Sequence, residues 1–276
     1  MFLSRSKQSG QIAVAVILAV AAVIVVAVSL ASRTTQEQSL TTQTTESTVT
    51  FNAAEAGVEQ ALSSVLTSLE SAAYVTPPPS GSVTLNNNTT VDYTITQSPT
   101  LDVSLAEGAT AQVSLDGDRN GSGDYTGTID ILWGKDADCT KNASLIISLI
   151  SNPSGSYRAR YYAVGPYGGC ADRSGDEFTA ASAGIDGYKN RYQIAVSSAA
   201  ASADLMLRIK TVYADSPILV RGLTSNLPTQ QYIVRSTAVN TAGDKQETRV
   251  LEVKRSLPVA PNIMDYALYS GGNISK

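Results

Sequence analysis

Five oxygen-bearing side chains between positions 116 and 124 form the pattern with the clearest chemical meaning in this chain. They stand at every second position, with Gly121 at the sixth: Asp116, Asp118, Asn120, Ser122 and Asp124. This alternation is typical of the first part of an EF-hand calcium loop. The bidentate acid of the twelfth position is missing because Gly127 stands there, so a complete EF-hand is excluded. Two interpretations remain: a calcium site completed by carbonyls, water or Asp130, and an ordinary polar hairpin turn.

No set of residues for catalysis accompanies this loop. The chain contains no histidine, which removes the usual general base and with it the Ser-His-Asp and Cys-His arrangements. Neither a phosphate-binding glycine loop nor a nucleophile elbow occurs. With a formal net charge of −4 and no block of lysine or arginine, nucleic acid is not an expected partner. The sequence therefore predicts a protein that is not an enzyme and needs no cofactor apart from the calcium considered above.

Tyrosine and arginine concentrate between positions 157 and 192, a combination that is favoured at binding surfaces. The residues are Tyr157, Arg158, Arg160, Tyr161, Tyr162, Tyr167, Arg173, Tyr188, Arg191 and Tyr192. One interpretation is a surface that recognises a protein or a carbohydrate. The other, which we favour, is that half of these tyrosines alternate into a β-sandwich core with their hydroxyl groups at its edge.

The elements that position these residues begin with an apolar N-terminal segment. No polar side chain occurs from Ile12 to Val28, and the segment 12–31 reaches the ~20 residues that a helix needs to cross a bilayer. Basic residues precede it and only Arg33 follows closely, which keeps the N-terminus in the cytoplasm. We expect a single-pass protein of the cytoplasmic membrane whose main domain lies outside the cell. A secretory signal peptide cleaved near Ala31 is the alternative.

The predicted helix continues beyond the membrane to about residue 72. From Thr34 to Ser71 the chain has no proline, and its only glycine is Gly57. Apolar residues recur there at steps of three and four, which is typical of an amphipathic helix. They are Phe51, Ala54, Val58, Leu62, Val65, Leu66 and Leu69. A helix over 11–72 spans roughly 90 Å at ~1.5 Å per residue, and its middle, rich in threonine and serine, is the part that we expect to fray.

The beginning of the chain resembles a type IV pilin-like protein, and in particular the PilX-type pilus assembly family. The resemblance covers roughly the first 70 residues: a basic leader ending in Gly10, an apolar helix that starts at once, and the run AAEAG at 53–57. In that family a membrane prepilin peptidase cuts the leader after the glycine, and the exposed helices bundle into the core of a filament. The resemblance implies a leader over 1–10 and a cut between Gly10 and Gln11. It also implies assembly through a helix over 11–72 that carries Phe51, Ala54, Glu55, Gly57, Val58 and Leu62.

Two positions depart from the pattern of major pilins. Those proteins usually begin the mature chain with Phe or Met and carry Glu at the fifth mature position, where this chain has Gln11 and Ala15. In major pilins the carboxylate of this glutamate is thought to pair with the N-terminal amine of the neighbouring subunit, an attraction that matters inside lipid. This chain lacks that carboxylate. The resemblance therefore implies a minor subunit that contacts other pilin subunits. The alternative function is a membrane-anchored surface adhesin or binding protein with an uncleaved signal anchor.

A mainly β region follows three consecutive prolines at 77–79, which close the helical region. Short runs rich in Tyr, Val, Ile and Thr are separated there by Gly, Asn, Asp or Pro, which is typical of a sandwich or jelly roll. The predicted strands are 91–96, 101–105, 111–115, 128–133, 145–150, 158–164, 191–196, 205–212, 218–220, 232–237 and 249–254. The expected fold is α+β: the long helix, a linker over 73–90, and a mainly antiparallel, jelly-roll-like β-sandwich over 91–257. Two small sandwiches would also fit this length.

The two cysteines, Cys139 and Cys170, both fall in the part that we expect outside the membrane. A pair in such a location usually forms a disulfide, provided that the two Cα atoms approach within ~6 Å. The alternative is two unpaired buried thiols. With two thiols and no histidine, a zinc site is not expected.

The C-terminal tail over 258–276 follows the last predicted strand and contains two prolines near its start. We expect it to lie outside the main core. Its apolar residues, among them Met264, Tyr266 and Leu268, distinguish it from a disordered tail. We therefore predict that it packs back along the sandwich or pairs as a strand with a partner.

Overall fold

A computed structural model describes residues 9–70, 80–86, 88–118, 120–121, 123–170, 173, 175–241 and 246–260 of the chain. A long helix is followed by three mainly antiparallel β-sheets. This is the α+β class that the sequence predicts. Most of the predicted leader and tail, and the first part of the predicted linker, lie outside the described residues.

Helix α1 (Ser9–Glu70) is continuous over 62 residues, roughly 90 Å at ~1.5 Å per residue. It does not break in the threonine-rich middle, where we expected fraying. Seven threonine hydroxyl groups there each donate a hydrogen bond to the carbonyl oxygen four residues earlier. They belong to Thr34, Thr35, Thr41, Thr44, Thr45, Thr48 and Thr50. These bonds satisfy the hydroxyl groups without taking backbone groups out of the helix.

Fourteen strands are described after the helix. They are β1 (Gly81–Asn86), β2 (Thr89–Ser98), β3 (Leu101–Leu105), β4 (Thr110–Ser114), β5 (Gly127–Trp133), β6 (Ser144–Ser151), β7 (Arg158–Gly165), β8 (Thr179–Ala180), β9 (Ser182–Ala183), β10 (Asn190–Val196), β11 (Asp204–Val212), β12 (Ser216–Gly222), β13 (Gln231–Asn240) and β14 (Glu247–Ser256). Two short 3-10 helices, Cys139–Lys141 and Pro153–Gly155, flank β6. All eleven predicted strands coincide with or overlap a strand of the structure.

The C-terminal part of α1 packs on a four-stranded sheet of order β1-β2-β13-β14, which we call the helix-facing sheet. Two groups of side chains fill this contact. Small ones meet at one end, where Ala53 and Ala54 lie against Val91 and Ala238. Larger ones meet at the other, where the buried residues are Val58, Ala61, Val65, Ile95, Tyr232 and Val234. The contact between helix and sheet is therefore made by small side chains at one end and by larger ones at the other.

Gly57 is the point of closest approach. A Cβ atom added at this position would collide with the Ser236 hydroxyl oxygen and with a methyl group of Val91. The run AAEAG at 53–57 consequently has a packing role: Ala53, Ala54 and Gly57 are buried against the sheet, while Glu55 points to solvent.

The other two sheets form a β-sandwich. Their strand orders are β3-β12-β5-β10-β9, the first sandwich sheet, and β4-β11-β6-β7-β8, the second. When the two-residue strands β8 and β9 are left out, eight strands remain, and they can be numbered one to eight in chain order from β3. The first sheet then has the order one-eight-three-six and the second the order two-seven-four-five. This alternation between two sheets is the jelly-roll arrangement that the sequence predicts. The enclosed core includes Trp133, Leu145, Ile147, Leu207 and Ile209, all fully buried.

The sandwich is inserted between β2 and β13 of the helix-facing sheet. Its core residues all lie between Leu101 and Leu227, so the single sandwich predicted over 91–257 is divided in the structure between two packing units. Gln230 fastens the junction: its backbone N–H donates to Ser98 O at 2.8 Å, and its side-chain amide donates to Ser114 O at 2.7 Å. An ion pair of 2.7 Å between Lys254 Nζ and Asp102 Oδ2 joins the units a second time.

Strand β1 lies inside the range that we predicted as a linker, 73–90. It is an edge strand that pairs only with β2. Ser82 and Thr84 are exposed and alternate with Val83 and Leu85, of which Leu85 is 47% exposed as well. Two apolar residues give only a short alternation to detect, and they bury little surface at a sheet edge.

The beginning of the predicted tail packs on the sandwich. Ala260 N donates to the side-chain oxygen of Gln112 at 3.3 Å, and the Arg208 guanidinium donates to Ala260 O at 3.1 Å. Residues 258–260 thus run alongside β4 and β11. The rest of the tail, 261–276, lies outside the described residues.

We predict that Gly57→Leu destabilises the protein, by about 1–3 kcal/mol, because the new side chain must displace Ser236 and Val91 or lift the helix from the sheet. Thermal unfolding of the full chain in detergent, followed by near-ultraviolet circular dichroism, measures the change. Glu59→Leu places the same side chain on the exposed face of the helix and should shift stability by no more than ~0.5 kcal/mol. Equal melting temperatures for the two variants would contradict the close approach.

Candidate functional site

The N-terminal part of α1 has no partner among the described residues. Every described side chain from 13 to 45 is exposed. The large apolar ones are between 53% (Val20) and 68% (Val23) exposed, on all sides of the helix. This part is long and apolar enough to cross a membrane. It is therefore suited to a membrane anchor, because lipid or other apolar helices can cover a helix surface that is apolar all round.

The six residues predicted to carry assembly are divided between two environments. Ala54, Gly57 and Val58 are buried against the helix-facing sheet of the same chain. Phe51 and Glu55 are exposed, and Leu62 is half-buried. The amphipathic pattern is therefore largely explained by packing within the subunit, and Phe51 and Glu55 are the members best placed to meet a neighbour.

The predicted processing site lies at the start of the described chain. Gly10 and Gln11 are in the first turn of α1, while residues 1–8 of the predicted leader lie outside the described residues. Ala15 lies one turn further into the apolar segment.

The acidic loop, residues 116–124, connects β4 with β5. These strands belong to opposite sheets of the sandwich, so the connection is a crossing at the end of the sandwich. The interpretation of this segment as a hairpin turn is wrong, because a hairpin joins two paired neighbours in one sheet. The crossing is tied to the core at both ends: Leu115 N donates to Leu205 O at 2.8 Å, and Asp124 N donates to Leu115 O at 2.8 Å.

Three of the five predicted ligands come together in this loop. One carboxylate oxygen each from Asp116, Asp118 and Asp124 lie within 4.8 Å of one another. Asn120 is drawn to Asp118 through its side-chain amide, which donates to Asp118 Oδ2 at 2.7 Å. Ser122 lies outside the described residues. Asp130 is elsewhere, in the middle of β5, where it pairs with Arg191 at 2.5 Å and Arg221 at 3.4 Å and cannot complete a site in the loop.

Asp116 is the buried member of the group. It is 8% exposed, and its Oδ1 atom has no hydrogen-bond partner. Burial raises the pKa of the Asp116 carboxyl above its ordinary value, since a charged group loses solvation there. A hydrogen bond of 2.8 Å from Gly121 N to Oδ2 acts in the opposite direction, and the neighbouring carboxylates of Asp118 and Asp124 raise the pKa further.

A residue from outside the predicted motif also reaches the loop. The side-chain amide of Asn152 donates to Gly121 O at 3.4 Å, and Asn152 N donates to Ala203 O at 2.9 Å. Asn152 precedes a 3-10 helix that follows β6. Sequence spacing gives no signal for such a contact because it depends on how the two sheets face each other.

The disulfide that we expected joins Cys139 to Cys170, with their Cα atoms 5.7 Å apart. It links the connection between β5 and β6 to the connection after β7. Arg173 reinforces this link: its guanidinium donates to Asn142 O at 2.7 Å and to Thr140 O at 3.0 Å, and lies 4.9 Å from the centre of the Tyr213 ring. A disulfide is suited to an extracellular domain.

The tyrosines of the 157–192 segment divide between surface and core. Tyr162 and Tyr192 pack against the sandwich core, with ring centres 6.2 Å apart. Tyr188 is half-buried, with the Lys135 ammonium 4.8 Å from its ring centre. The exposed tyrosines are Tyr157, Tyr161 and Tyr167, at 73%, 68% and 56%. Two of these lie on or beside β7, where Arg158 and Arg160 are exposed as well.

Comparison of the chain with protein families, curated proteins and solved structures finds no match.

We predict that replacing both cysteines by serine lowers the free energy of unfolding by about 3–4 kcal/mol, because the unfolded chain loses a cross-link closing a loop of about 30 residues. The separation in sequence is 31. The midpoint of denaturant unfolding in the absence of reductant measures the change. Reductant should lower the midpoint of the wild-type chain and leave that of the Cys139→Ser/Cys170→Ser variant where it is. A wild-type midpoint insensitive to reductant, with both thiols alkylated, would count against a stabilising bridge.

Proposed function

We propose that this protein is a minor, pilin-like subunit of a type IV pilus or related filament, anchored in the cytoplasmic membrane through α1 and presenting a jelly-roll sandwich outside the cell. The proposal is supported by the division of one continuous helix into two halves. The first, apolar half is bare, meaning that its described side chains are all exposed, and the second half packs on the chain's own sheet.

The bare half requires an apolar environment. About 20 residues cover ~30 Å of hydrocarbon at ~1.5 Å per residue, and the apolar segment 12–31 has this length. Between Gln11 and Arg33 there is no charged residue. A carboxylate that could hold the amine of a neighbouring subunit is therefore missing from this segment, which supports a minor position and not that of a shaft subunit.

The middle of the helix favours a filament over a simple anchor. A tethered adhesin needs only a flexible connection between lipid and domain, whereas here a rigid helix extends through residues 34–45 with every side chain exposed. Threonine is abundant there, and its hydroxyl groups are already bonded to the helix backbone. Small residues of this kind let helices approach each other closely. The segment is suited to lie against the helices of other pilin subunits.

A surface adhesin with an uncleaved signal anchor remains the second candidate. The exposed Tyr157, Tyr161 and Tyr167 beside Arg158 favour it, because Tyr and Arg are enriched where proteins bind protein or carbohydrate ligands. The two proposals are compatible when the sandwich of a minor subunit carries the ligand. Neither requires catalysis, and the proposed partners are the membrane, a prepilin peptidase and other pilin subunits.

We predict that Gly10→Leu blocks removal of the leader, because the cut that follows Gly10 requires a residue without a bulky side chain there. Intact-mass measurement of the membrane-extracted chain should show wild-type protein beginning at Gln11 and the variant beginning at Met1. Ser9→Ala leaves the residue at the cut unchanged and should mature normally. A wild-type chain that begins at Met1 would support the anchored adhesin, and one that begins near Ser32 would support a secreted domain.

A second prediction tests helix packing. Thr41→Glu places a second negative charge one helical turn from Glu37 and should reduce the amount of the protein recovered in sheared filaments at least tenfold, since two like charges between packed helices repel each other and are poorly solvated. Thr67→Glu is the matched control: Thr67 is also exposed and bonded to the carbonyl four residues earlier, but lies on the docked half. Both variants should be found in the membrane at wild-type levels. Unchanged recovery of Thr41→Glu in filaments would argue against burial of this segment between subunits.

A further inference from the structure

We propose that the acidic loop is a calcium site, in which Asp116, Asp118 and Asp124 bind one Ca²⁺ ion at the end of the sandwich. The site is formed by side chains of this chain alone and does not require the filament proposed above. Only its affinity class, considered below, depends on an extracellular location.

Asp116 differs from the other buried carboxylates in its partners. Three aspartates of the described chain are buried: Asp116, Asp130 and Asp204. Asp130 pairs with Arg191 and Arg221. Asp204 pairs with Arg160 at 2.7 Å and accepts a bond from Ser197 N at 2.9 Å. Among the described residues, the carboxylate of Asp116 accepts a hydrogen bond only from the Gly121 amide, and its Oδ1 atom has no partner. A buried carboxylate without a cation is costly, so a cation is the expected missing partner.

The carboxylates of Asp118 and Asp124 lie close to that of Asp116 and, among the described residues, also have no cationic partner. None of the ion pairs between described residues involves Asp116, Asp118 or Asp124. Their three closest oxygens lie within 4.8 Å of one another. Oxygens on opposite sides of a Ca²⁺ ion are about 4.6–5.2 Å apart, twice the usual bond length of 2.3–2.6 Å. The group therefore has the dimensions of one half of a calcium coordination sphere.

The backbone holds these carboxylates in place before an ion arrives. Asp124 Oδ2 accepts from Gly117 N at 2.6 Å and from Asp118 N at 3.3 Å, while Asp116 Oδ2 accepts from Gly121 N. Gly123 is fixed by its surroundings, because its φ is +68° and an added Cβ would lie 2.5 Å from Asp204 O. These backbone contacts hold the carboxylates of Asp116 and Asp124 in place.

The donors select the type of metal. Carboxylate oxygens without histidine or a free thiol are hard ligands, which favour calcium or magnesium over zinc or copper. An irregular loop can add carbonyl oxygens and water as ligands at variable angles. Calcium tolerates such irregular coordination, whereas magnesium requires nearly octahedral geometry. With a few carboxylates and open positions, and in the external medium proposed above, the site belongs with extracellular calcium modules of weak affinity, Kd on the order of 10⁻⁴–10⁻³ M.

The test is thermal unfolding of the full chain in detergent, after treatment with chelator, at increasing concentrations of CaCl₂ or MgCl₂. We expect the melting temperature of the wild-type chain to rise with calcium up to about 10 mM, roughly ten times the weakest expected Kd. Magnesium should give a much smaller rise. No rise with calcium, or an equal rise with both ions, would overturn the proposal.

Variants separate a ligand from a residue that merely stabilises the loop. Asp116→Asn and Asp118→Asn keep the shape of the side chain and should weaken calcium binding at least tenfold, as measured by isothermal titration calorimetry. Without calcium, Asp116→Asn should melt at the same temperature as the wild type or higher, because a buried charge is removed. Asp92→Asn, at an exposed position of β2, is the control and should bind calcium as the wild type does. Wild-type affinity in both loop variants would refute the assignment of the ligands.

Discussion

Antiparallel pairing between β2 and β13 is the constraint on which both parts of the molecule depend. The two strands pair along their whole length, from Thr89 and Asn240 to Ser98 and Gln231. One face of the pair receives the helix through Ile95, Tyr232 and Val234. The chain leaves β2 at Ser98, forms the sandwich, and returns to the helix-facing sheet at Gln231, where β13 begins. If this pair separated, the helix would lose its platform and the sandwich its attachment at the same time.

The sequence contains much of this fold because most elements have a local signature. Val91 and Ile95 on β2, or Leu145 and Ile147 on β6, are buried and alternate with more exposed residues, as is typical of strands, and the predicted strands coincide with or overlap real ones. Nothing local reveals the division of the strands into a sandwich and a separate sheet. That division depends on pairs such as Thr96 with Ile233, which are 137 residues apart in sequence.

The candidate sites were predictable to different degrees for the same reason. The acidic loop is contiguous, so its residue types and spacing were visible, yet the sequence could not show that Asp116 is buried or that Asp130 is committed to two arginines. Conversely, the stripe predicted on α1 is buried at Ala54, Val58 and Val65, whereas Phe51 and Leu66 are exposed, and the sequence does not reveal the surface that covers it. Ala54, Gly57 and Val58 face the chain's own sheet, and the surface left over for other molecules is the bare apolar half and the threonine-rich middle.

The insertion of the sandwich between two paired strands has a kinetic consequence. During synthesis the chain presents α1, β1 and β2 first, while β13 follows more than a hundred residues later. Closing so long a loop by random search is slow, because native contacts of high sequence separation carry a large entropic cost before they are rewarded. A jelly roll that folds on its own shortens the effective distance between its two ends to that between Leu101 and Gly222. Folding of the inserted domain would then bring β13 next to β2, and its rate would set the rate at which the helix acquires its sheet.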